Sequence, residues 1–227
     1  MELQQIRTIA AKEFRERIRN RWVAVVAAIF TVFALVIAYM GGAQQGTLGF
    51  QSIGVVIASL VSLVIYLIPL IALILGFDAI VGERERGSLG LLLAMPITRF
   101  ELLMGKFVGL ACALALSTLC GFGLVAIVLL PQLSPADLLH FCGFIASSVL
   151  LGLIFISLAL LVSVLASERT RASGLAIGAW FFFVLVFDLI LMGLLVASGG
   201  NIAGELLPLL MLLNPTDVFR ILNLFSL

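Results

Sequence analysis

Alternating charges interrupt an otherwise apolar chain at Glu83–Arg86, which reads Glu-Arg-Glu-Arg. An apolar run, Leu89–Met95, follows almost at once and stops at Pro96, which cannot continue a helix without losing a hydrogen bond. Carboxylates and guanidinium groups at this spacing form ion pairs and hydrogen bonds, which suits a contact surface better than covalent catalysis. We therefore predict a docking element with a short helix that starts at Ser88, the expected N-cap.

Catalytic motifs do not occur elsewhere in the sequence. A nucleotide phosphate loop needs G-x-x-x-x-G-K-[ST], but the pair Gly105-Lys106 lacks the earlier glycine and is followed by Phe107. There is no G-x-S-x-G, no H-E-x-x-H and a single histidine, His140, at the edge of an apolar stretch. We predict no catalytic residue and no cofactor in this chain, so a partner subunit must bind the ATP and Mg²⁺ of any ATP-driven work.

Sulfur-containing side chains could ligate Cu(I), but their distribution argues against a metal site. The methionines are scattered without repeat spacing, and Cys112, Cys120 and Cys142 lie in or beside apolar stretches without a CxxC motif. We predict no metal-binding residue and no disulfide framework.

Long apolar helices must position the charged segment. The 227 residues are 63% hydrophobic and 11% charged, a composition typical of a chain in lipid. A helix of about 20 apolar residues crosses about 30 Å of hydrocarbon. Five stretches meet this length: 22–40, 53–77, 102–130, 141–166 and 175–197. The sequence thus predicts an all-α polytopic membrane protein in which residues 1–227 form a single transmembrane domain.

Basic residues are sorted by connection. Twelve of the 13 lie before the first stretch, between the second and third stretches or just inside the third (Lys106), or between the fourth and fifth, whereas 41–52 and 131–140 contain none. Because cytoplasmic loops carry the excess of Lys and Arg, we expect a cytoplasmic N-terminus and cytoplasmic loops at 78–101 and 167–173. Only Arg220 is left for the other side. Because the basic residues are distributed by loop and not pooled on a soluble domain, we predict membrane lipid and not nucleic acid as their partner.

Residues 1–21 have the pattern of an amphipathic helix. The apolar positions recur at spacings of three and four: Leu3, Ile6, Ile9, Ala10, Phe14 and Ile18. Cations fill the other face, so we expect an interfacial helix in the cytoplasmic headgroup plane with its apolar face in the membrane. The alternative is a juxtamembrane run of positive charges without a further role.

The cytoplasmic turn 167–173 repeats the polar theme, with Glu168, Arg169 and Arg171 between two apolar stretches. It predicts a second contact point on the face that carries Glu83–Arg86. For the first loop the alternative is that charges only anchor the span and leucines only contact lipid. An anchor does not require both signs, which favours the docking element.

One acid, Asp188, lies well inside a predicted span, where an uncompensated charge costs about 2.5–3.5 kcal/mol. We expect it to line a conduit or the interior of a dimer; the alternative is a protonated acid that bridges helices. Beyond it, residues 198–227 predict two short helices, Leu206–Leu213 and a second one capped by Asn214 or Thr216 that ends near Leu224.

Three segments resemble a known family. Asp78–Leu89, with the Pro96 and Gly105-Lys106 that follow, resembles the E-R-E-x-G-[ST]-L segment of ABC exporter permeases. Gly174–Leu189 (GLAIGAWFFFVLVFDL) and Leu213–Leu224 (LNPTDVFRILNL) resemble NosY-type permeases of the nitrous oxide reductase maturation system. The similarity covers essentially the whole chain, and the last two segments are the more specific.

The resemblance implies a homodimeric permease in the bacterial inner membrane, docked on two cytoplasmic NosF-like ATPase subunits. It also implies a NosD-like periplasmic repeat protein and a role in assembling the copper-sulfur centres of nitrous oxide reductase. The implied ATPase-coupling residues are Glu83, Arg84, Glu85, Arg86, Gly87, Ser88, Leu89, Leu91, Leu92, Leu93, Glu168, Arg169 and Arg171. By the same analogy Asn214, Pro215, Thr216 and Asp217 belong to a re-entrant periplasmic gate; an ordinary interfacial helix pair fits the same residues.

Permeases of this family have six spans, whereas five are recognisable in this sequence. We expect that the chain is a truncated version of a six-span permease, because a dimer without these helices would expose faces built for packing. Two other functions fit the sequence: a generic ABC exporter of drug or lipid type, and a membrane scaffold that anchors an ATPase without transport.

Overall fold

The computed structural model describes residues 3–19, 22–40, 53–132, 134–199 and 206–225. The regular elements in these ranges are helices: α1 (Leu3–Arg19), α2 (Trp22–Met40), α3 (Ile53–Gly76), α4 (Val81–Glu85), α5 (Ser88–Leu93), α6 (Arg99–Leu129), α7 (Pro135–Leu165), α8 (Arg169–Phe181), α9 (Phe187–Ala197), α10 (Leu206–Met211) and α11 (Pro215–Phe225). A 3₁₀ turn, Leu130–Gln132, follows α6, and a π-helical turn, Phe182–Val186, joins α8 to α9. The predicted all-α fold is confirmed.

Four helical segments in the described part are long and apolar enough to cross a membrane: Val56–Glu85, Arg99–Leu129, Pro135–Leu165 and Arg169–Ala197. The helix α2 covers the same residues as the first predicted span. The helices α6, α7 and α8 begin three to six residues before the predicted apolar stretches, because their first turns are polar. Arg169 and Arg171, predicted in a turn, therefore lie in the first turn of α8.

Aromatic packing joins four helices in the core. Phe122 of α6 lies between Phe30 of α2 and Phe144 of α7, with ring centroids 5.0 and 5.2 Å away. Phe219 of α11 extends the stack at 6.2 Å from Phe144. These four rings are almost completely buried, so burial of apolar surface and favourable ring geometry both stabilise the bundle. By contrast, α8 and α9 leave most of their apolar side chains exposed.

Two glycines bring α1 against α6. A Cβ atom at Gly105 would lie 2.6 Å from Cβ of Ile9, and one at Gly109 would lie 2.8 Å from the carbonyl oxygen of Ala10. Only a residue without a side chain allows such an approach. On this side the apolar face of α1 packs on α6 and buries Ala10 there. The position of α1 in the headgroup plane stays a prediction.

We expect Gly109→Ala to destabilise the folded chain by about 1–3 kcal/mol, because the added methyl group overpacks the α1–α6 contact. Gly123→Ala is the matched control on the same helix, since no atom lies within 4 Å of a Cβ there. It should be neutral or stabilising, as alanine favours helix over glycine by about 1 kcal/mol. Thermal unfolding in lipid nanodiscs measures both; an equal response of the two variants would contradict this packing.

Glycine also begins α5. Gly87 is its N-cap and has a φ angle of 72°, a left-handed conformation that glycine adopts at little cost. The prediction of Ser88 as N-cap is therefore wrong: Ser88 is the first helical residue, and its Oγ donates to the carbonyl oxygen of Glu83 over 3.2 Å. A capping box of Thr98 and Glu101, which the sequence analysis missed, begins α6.

Candidate functional site at the charged end of the bundle

A buried lysine joins three helices at the end of the bundle where α4 and α5 lie. Lys106 of α6 is 3% exposed. Its Nζ lies 2.8 Å from Oε1 of Glu83 in α4 and 3.3 Å from Oε2 of Glu13 in α1. Both carboxylates are buried as well. Separating these helices would leave a buried charge without its partner, which is costly. The cluster therefore holds α1, α4 and α6 together.

Arg17 extends this cluster along α1. Its Nη2 lies 3.0 Å from Oε1 of Glu13 and 3.7 Å from Oδ1 of Asp78. Burial by itself would raise the pKa of Glu13, but the positive charges of Lys106 and Arg17 lower that pKa below its ordinary value. Glu13 is therefore ionised at neutral pH and pairs with both cations.

Arg84 and Glu85 bond to the ends of two neighbouring helices. Arg84 donates from Nη1 to the carbonyl oxygen of Ala166 over 2.6 Å and from Nη2 to that of Val164 over 3.1 Å, at the C-terminus of α7. Glu85 Oε1 accepts a hydrogen bond of 2.7 Å from the backbone N–H of Arg169, at the N-terminus of α8. A cation at a helix C-terminus and an anion at an N-terminus each match the helix dipole. The alternating signs of Arg84 and Glu85 thus match the C-terminus of α7 and the N-terminus of α8, respectively.

Asp78 and Ser163 complete the attachment of α4. Oδ2 of Asp78 lies 2.7 Å from Nη2 of Arg169, which ties the segment before α4 to α8. The buried Oγ of Ser163 in α7 accepts hydrogen bonds from the backbone N–H groups of Ile80 and Val81, at 2.9 and 3.1 Å. These bonds satisfy donors at the start of α4 that have no helical partner.

A polar cavity of about 130 Å³ lies beside the cluster and is lined by Glu13, Glu16, Arg17, Asp78, Ala79, Glu83, Arg86 and Lys106. Oε2 of Glu83 is buried and has no hydrogen-bond partner within the described residues. A polar space of this size is large enough to hold water. Water in this space could therefore solvate Oε2 of Glu83.

The short helix α5 is exposed, unlike Glu83 in the helix before it. None of its residues is buried, and Leu91 is 72% exposed. Leu93 and Met95 add further exposed apolar surface beside it. We call Leu91, Leu93 and Met95 the α5 patch. Exposed apolar side chains at a polar end of the molecule are typical of a contact surface.

The predicted coupling residues thus separate into two groups. The α5 residues Leu91 and Leu93 are exposed, Leu89 and Leu92 are half-buried, and Glu168, Arg169 and Arg171 are exposed next to them. Glu83 lies inside the chain, so it can act on a partner only through the helices that it joins. Glu13, Asp78, Lys106 and Ser163 were not among the predicted site residues. The available signals were the position of Glu13 next to the apolar face of α1 and the presence of Asp78 and Lys106 in the segment that resembles ABC exporter permeases.

A second charged cluster joins α9 to α11 away from this end. Nη2 of Arg220 lies 3.0 Å from Oδ2 of Asp188, and its Nη1 lies 3.1 Å from Oδ1 of Asp217. This pairing of Asp188 with Arg220 was not predicted from the sequence. The predicted gate residues Asn214, Thr216 and Asp217 are fully buried, and Asn214 Oδ1 accepts from the backbone N–H of Thr216, which confirms Asn214 as a cap of α11.

Apolar helices of spanning length, with a charged end that presents a short exposed helix, are the features of a multi-pass membrane protein with a contact surface at one end. The chain belongs to the ABC-2 family of transporter proteins, whose sequence profile matches residues 7–226. This finding confirms the resemblance that the E-R-E segment indicated.

Two proteins of similar sequence are each named a probable ABC transporter permease protein NosY. The protein of Pseudomonas aeruginosa is 49% identical over 221 residues, which are 96% of this chain and 80% of the relative. The protein of Stutzerimonas stutzeri is 48% identical over 226 residues, which are 98% of this chain and 82% of the relative. The chain is therefore a permease subunit of an ABC transporter.

Proposed function

We propose that this permease couples ATP hydrolysis by two cytoplasmic ATPase subunits to transport or mechanical work on the periplasmic side of the bacterial inner membrane. The work supports assembly of the copper-sulfur centres of nitrous oxide reductase. The observation that carries the coupling role is the exposed α5 patch, mounted directly after the buried cluster of Lys106, Glu83 and Glu13. The names of the NosY relatives support the assignment to this maturation system.

The patch requires a protein partner because of where it lies. The excess of basic residues supports a cytoplasmic position for α4, α5 and the start of α8, where exposed leucines would be in water rather than lipid. Covering a leucine side chain contributes about 1.5–3 kcal/mol. The neighbouring Glu168 and Arg171 are exposed and supply a polar rim to such an interface.

The buried cluster supplies the rigidity that a coupling element needs. A force on α5 reaches α4 directly, since only Arg86 and Gly87 separate the two helices. Glu83 then links α4 to Lys106 in α6, and Lys106 links α6 to Glu13 in α1. A push on α5 therefore moves α1, α4 and α6 together, and α6 carries this motion across the membrane.

A homodimer with a periplasmic partner completes the proposal. Most apolar side chains of α8 and α9 are exposed within the described residues, including Leu175, Ile177, Phe181, Leu189 and Met192. A second copy of this chain that packs against this face would bury part of it. A NosD-like repeat protein then binds the periplasmic end, where α10 and α11 lie.

We expect Leu91→Asp to weaken binding of the ATPase subunits at least about tenfold, because it places a charge in the apolar contact. The folded chain should unfold at an unchanged temperature, since Leu91 makes few contacts within it. Leu91→Met is the matched control and should bind normally. Co-purification of the ATPase with each variant, ATP hydrolysis by the complex and the copper-sulfur content of nitrous oxide reductase are the measurements.

Three outcomes separate the alternatives. Normal ATPase binding by Leu91→Asp would contradict docking through α5. If Leu91→Asp no longer bound the ATPase but the copper-sulfur centres of nitrous oxide reductase were still assembled normally, the ATPase contact would not be required for their assembly. Normal assembly by a complex whose ATPase cannot hydrolyse ATP would leave the chain as a scaffold and overturn the proposal.

A further inference from the structure

The π-turn at Phe182–Val186 changes the hydrogen bonding of the fifth span. The backbone N–H of Phe187 donates to the carbonyl oxygen of Phe182, five residues earlier. In a regular α-helix it would donate to Phe183, four residues earlier. A π-turn therefore releases the Phe183 carbonyl from this partner, and a free carbonyl is costly at membrane depth.

Two side chains at the start of α11, its cap Asn214 and Thr216 of its first turn, lie within hydrogen-bond distance of this carbonyl. Nδ2 of Asn214 donates to the Phe183 oxygen over 2.9 Å, and Oγ1 of Thr216 lies 3.2 Å from the same atom. Both side chains are fully buried. The released backbone acceptor and the buried amide of Asn214 thus satisfy each other across 31 positions of the chain, and Thr216 Oγ1 can donate its one hydrogen either to the same oxygen or to Oδ1 of Asn214.

Asn214 has no spare hydrogen-bonding capacity. Its second Nδ2 hydrogen bonds to Oδ2 of Asp217 over 3.0 Å, and its Oδ1 accepts from the backbone N–H of Thr216 and lies 2.8 Å from the Thr216 hydroxyl. A fully bonded amide is oriented in one way, which aims its remaining hydrogen at Phe183. Because its other hydrogen bonds fix the orientation of the Asn214 amide, the amide attaches α11 specifically to the Phe183 carbonyl of the π-turn.

The register of the π-turn also decides where Asp188 lies. Each residue of an α-helix turns the chain by about 100°. The π-turn contains one residue more than an α-helical turn, so a change from π-helical to α-helical bonding rotates all of α9 by about that angle. In the observed register Asp188 meets Arg220 at 3.0 Å. With regular α-helical bonding through Phe183, α9 would rotate and Asp188 would leave Arg220.

We propose that Asn214 and Thr216 are positioning residues that hold the fifth span in its π-turn register and so set the rotation of α9 relative to α8. When α11 moves away, the Phe183 carbonyl is free to take the N–H of Phe187, and the span can return to regular helical bonding. The π-turn is a two-position joint controlled by α11. This inference concerns contacts within the chain and does not depend on the proposed ATP coupling.

Hydrogen–deuterium exchange of the nucleotide-free complex in lipid nanodiscs tests the joint. We expect Thr216→Val and Asn214→Leu to speed exchange of amides 182–188 about tenfold, the factor that corresponds to one hydrogen bond of ordinary strength. Exchange within α6 should stay unchanged. Thr216→Ser keeps the hydroxyl and is the matched control, which should exchange like the unmodified chain.

A labelling experiment reports the rotation itself. With Cys112, Cys120 and Cys142 replaced by serine, Asp188→Cys should change its rate of reaction with a water-soluble maleimide when Thr216→Val is added, and not when Thr216→Ser is added. Unchanged exchange at 182–188 in both Thr216→Val and Asn214→Leu would overturn the proposal. Faster exchange that extends equally to α6 would also overturn it, because it would indicate general loss of structure.

Discussion

Lys106→Met is expected to lower the free energy of unfolding by about 3–5 kcal/mol, because it leaves buried carboxylates without their cation. Glu83 is the more affected partner, since no other ion pair reaches it within the described residues. Glu13 keeps Arg17 at 3.0 Å. The melting temperature in lipid nanodiscs should fall by about 10 °C, given about 2–4 °C per kcal/mol for a chain of this size.

Two further variants separate charge from packing at this position. Adding Glu83→Gln to Lys106→Met should restore more than half of the lost stability, because the carboxylate left unpaired is then neutral. Lys12→Met is the control on the surface: its Nζ lies 3.8 Å from Oε1 of Glu16, its side chain is 57% exposed, and exposed pairs contribute at most about 1 kcal/mol. Equal losses in Lys12→Met and Lys106→Met would contradict the buried cluster.

The same substitution has a consequence for coupling. If α4 moves α6 and α1 through Lys106, the double variant should bind the ATPase through its intact α5 patch and still transmit less work. We expect ATP hydrolysis to continue while copper-sulfur assembly falls. Normal assembly by the double variant would show that coupling follows another route through the bundle.

Arg220→Met is the second substitution with a large expected effect. Burial raises the pKa of Asp217 to about 6, the nearby charge of Asp188 adds to this rise, and Arg220 opposes it. Asp217 lies in α11, which is too short to span a membrane. Loss of Arg220 leaves a buried carboxylate without its cation, which costs about 1–3 kcal/mol at pH 7.5.

The loss should depend on pH in a defined direction. The folded state already holds a proton on Asp217 more tightly than the unfolded state, whose pKa is 3.8, so stability declines as the pH rises from about 4 to 6. Without Arg220 the pKa of Asp217 rises further and extends this decline upward. We therefore expect Arg220→Met to be strongly destabilised at pH 7.5 and to recover at pH 5.

Melting temperatures at pH 5 and 7.5 measure this difference. Arg220→Lys keeps a cation and should retain most of the stability at both values. Adding Asp217→Asn to Arg220→Met removes the titrating group, so the double variant should lose the recovery at low pH. A pH-independent melting temperature in Arg220→Met itself would show that Asp217 does not depend on Arg220.

The apolar helices were predictable because their signal is local. The stretch 22–40 coincides with α2, and 53–77 with α3 within one residue. The starts of α7 and α8 were placed too late, since their first turns are polar and a search for apolar length passes over them. The N-cap of α5 was misassigned because serine is the commoner cap, while a left-handed glycine depends on the turn itself.

The charged segment shows what local reasoning misses. Its alternating signs were interpreted as a surface for a partner, but Arg84 and Glu85 bond to the ends of α7 and α8, and Glu83 pairs with Lys106. These helix ends lie about 80 positions later in the chain. Glu83 is therefore buried, whereas Arg84, Glu85, Arg86 and the leucines of α5 keep exposed surface that a partner can reach.

The sequence by itself determined the class of this protein: apolar stretches of spanning length, the loops that carry cations and the family to which the E-R-E segment belongs. These properties follow from composition and short-range spacing. The tertiary structure alone decided which charges meet. Lys106 and Glu13 are 93 positions apart, and Arg220 and Asp188 are 32 apart. A buried charge requires a partner, but its identity depends on how the helices pack.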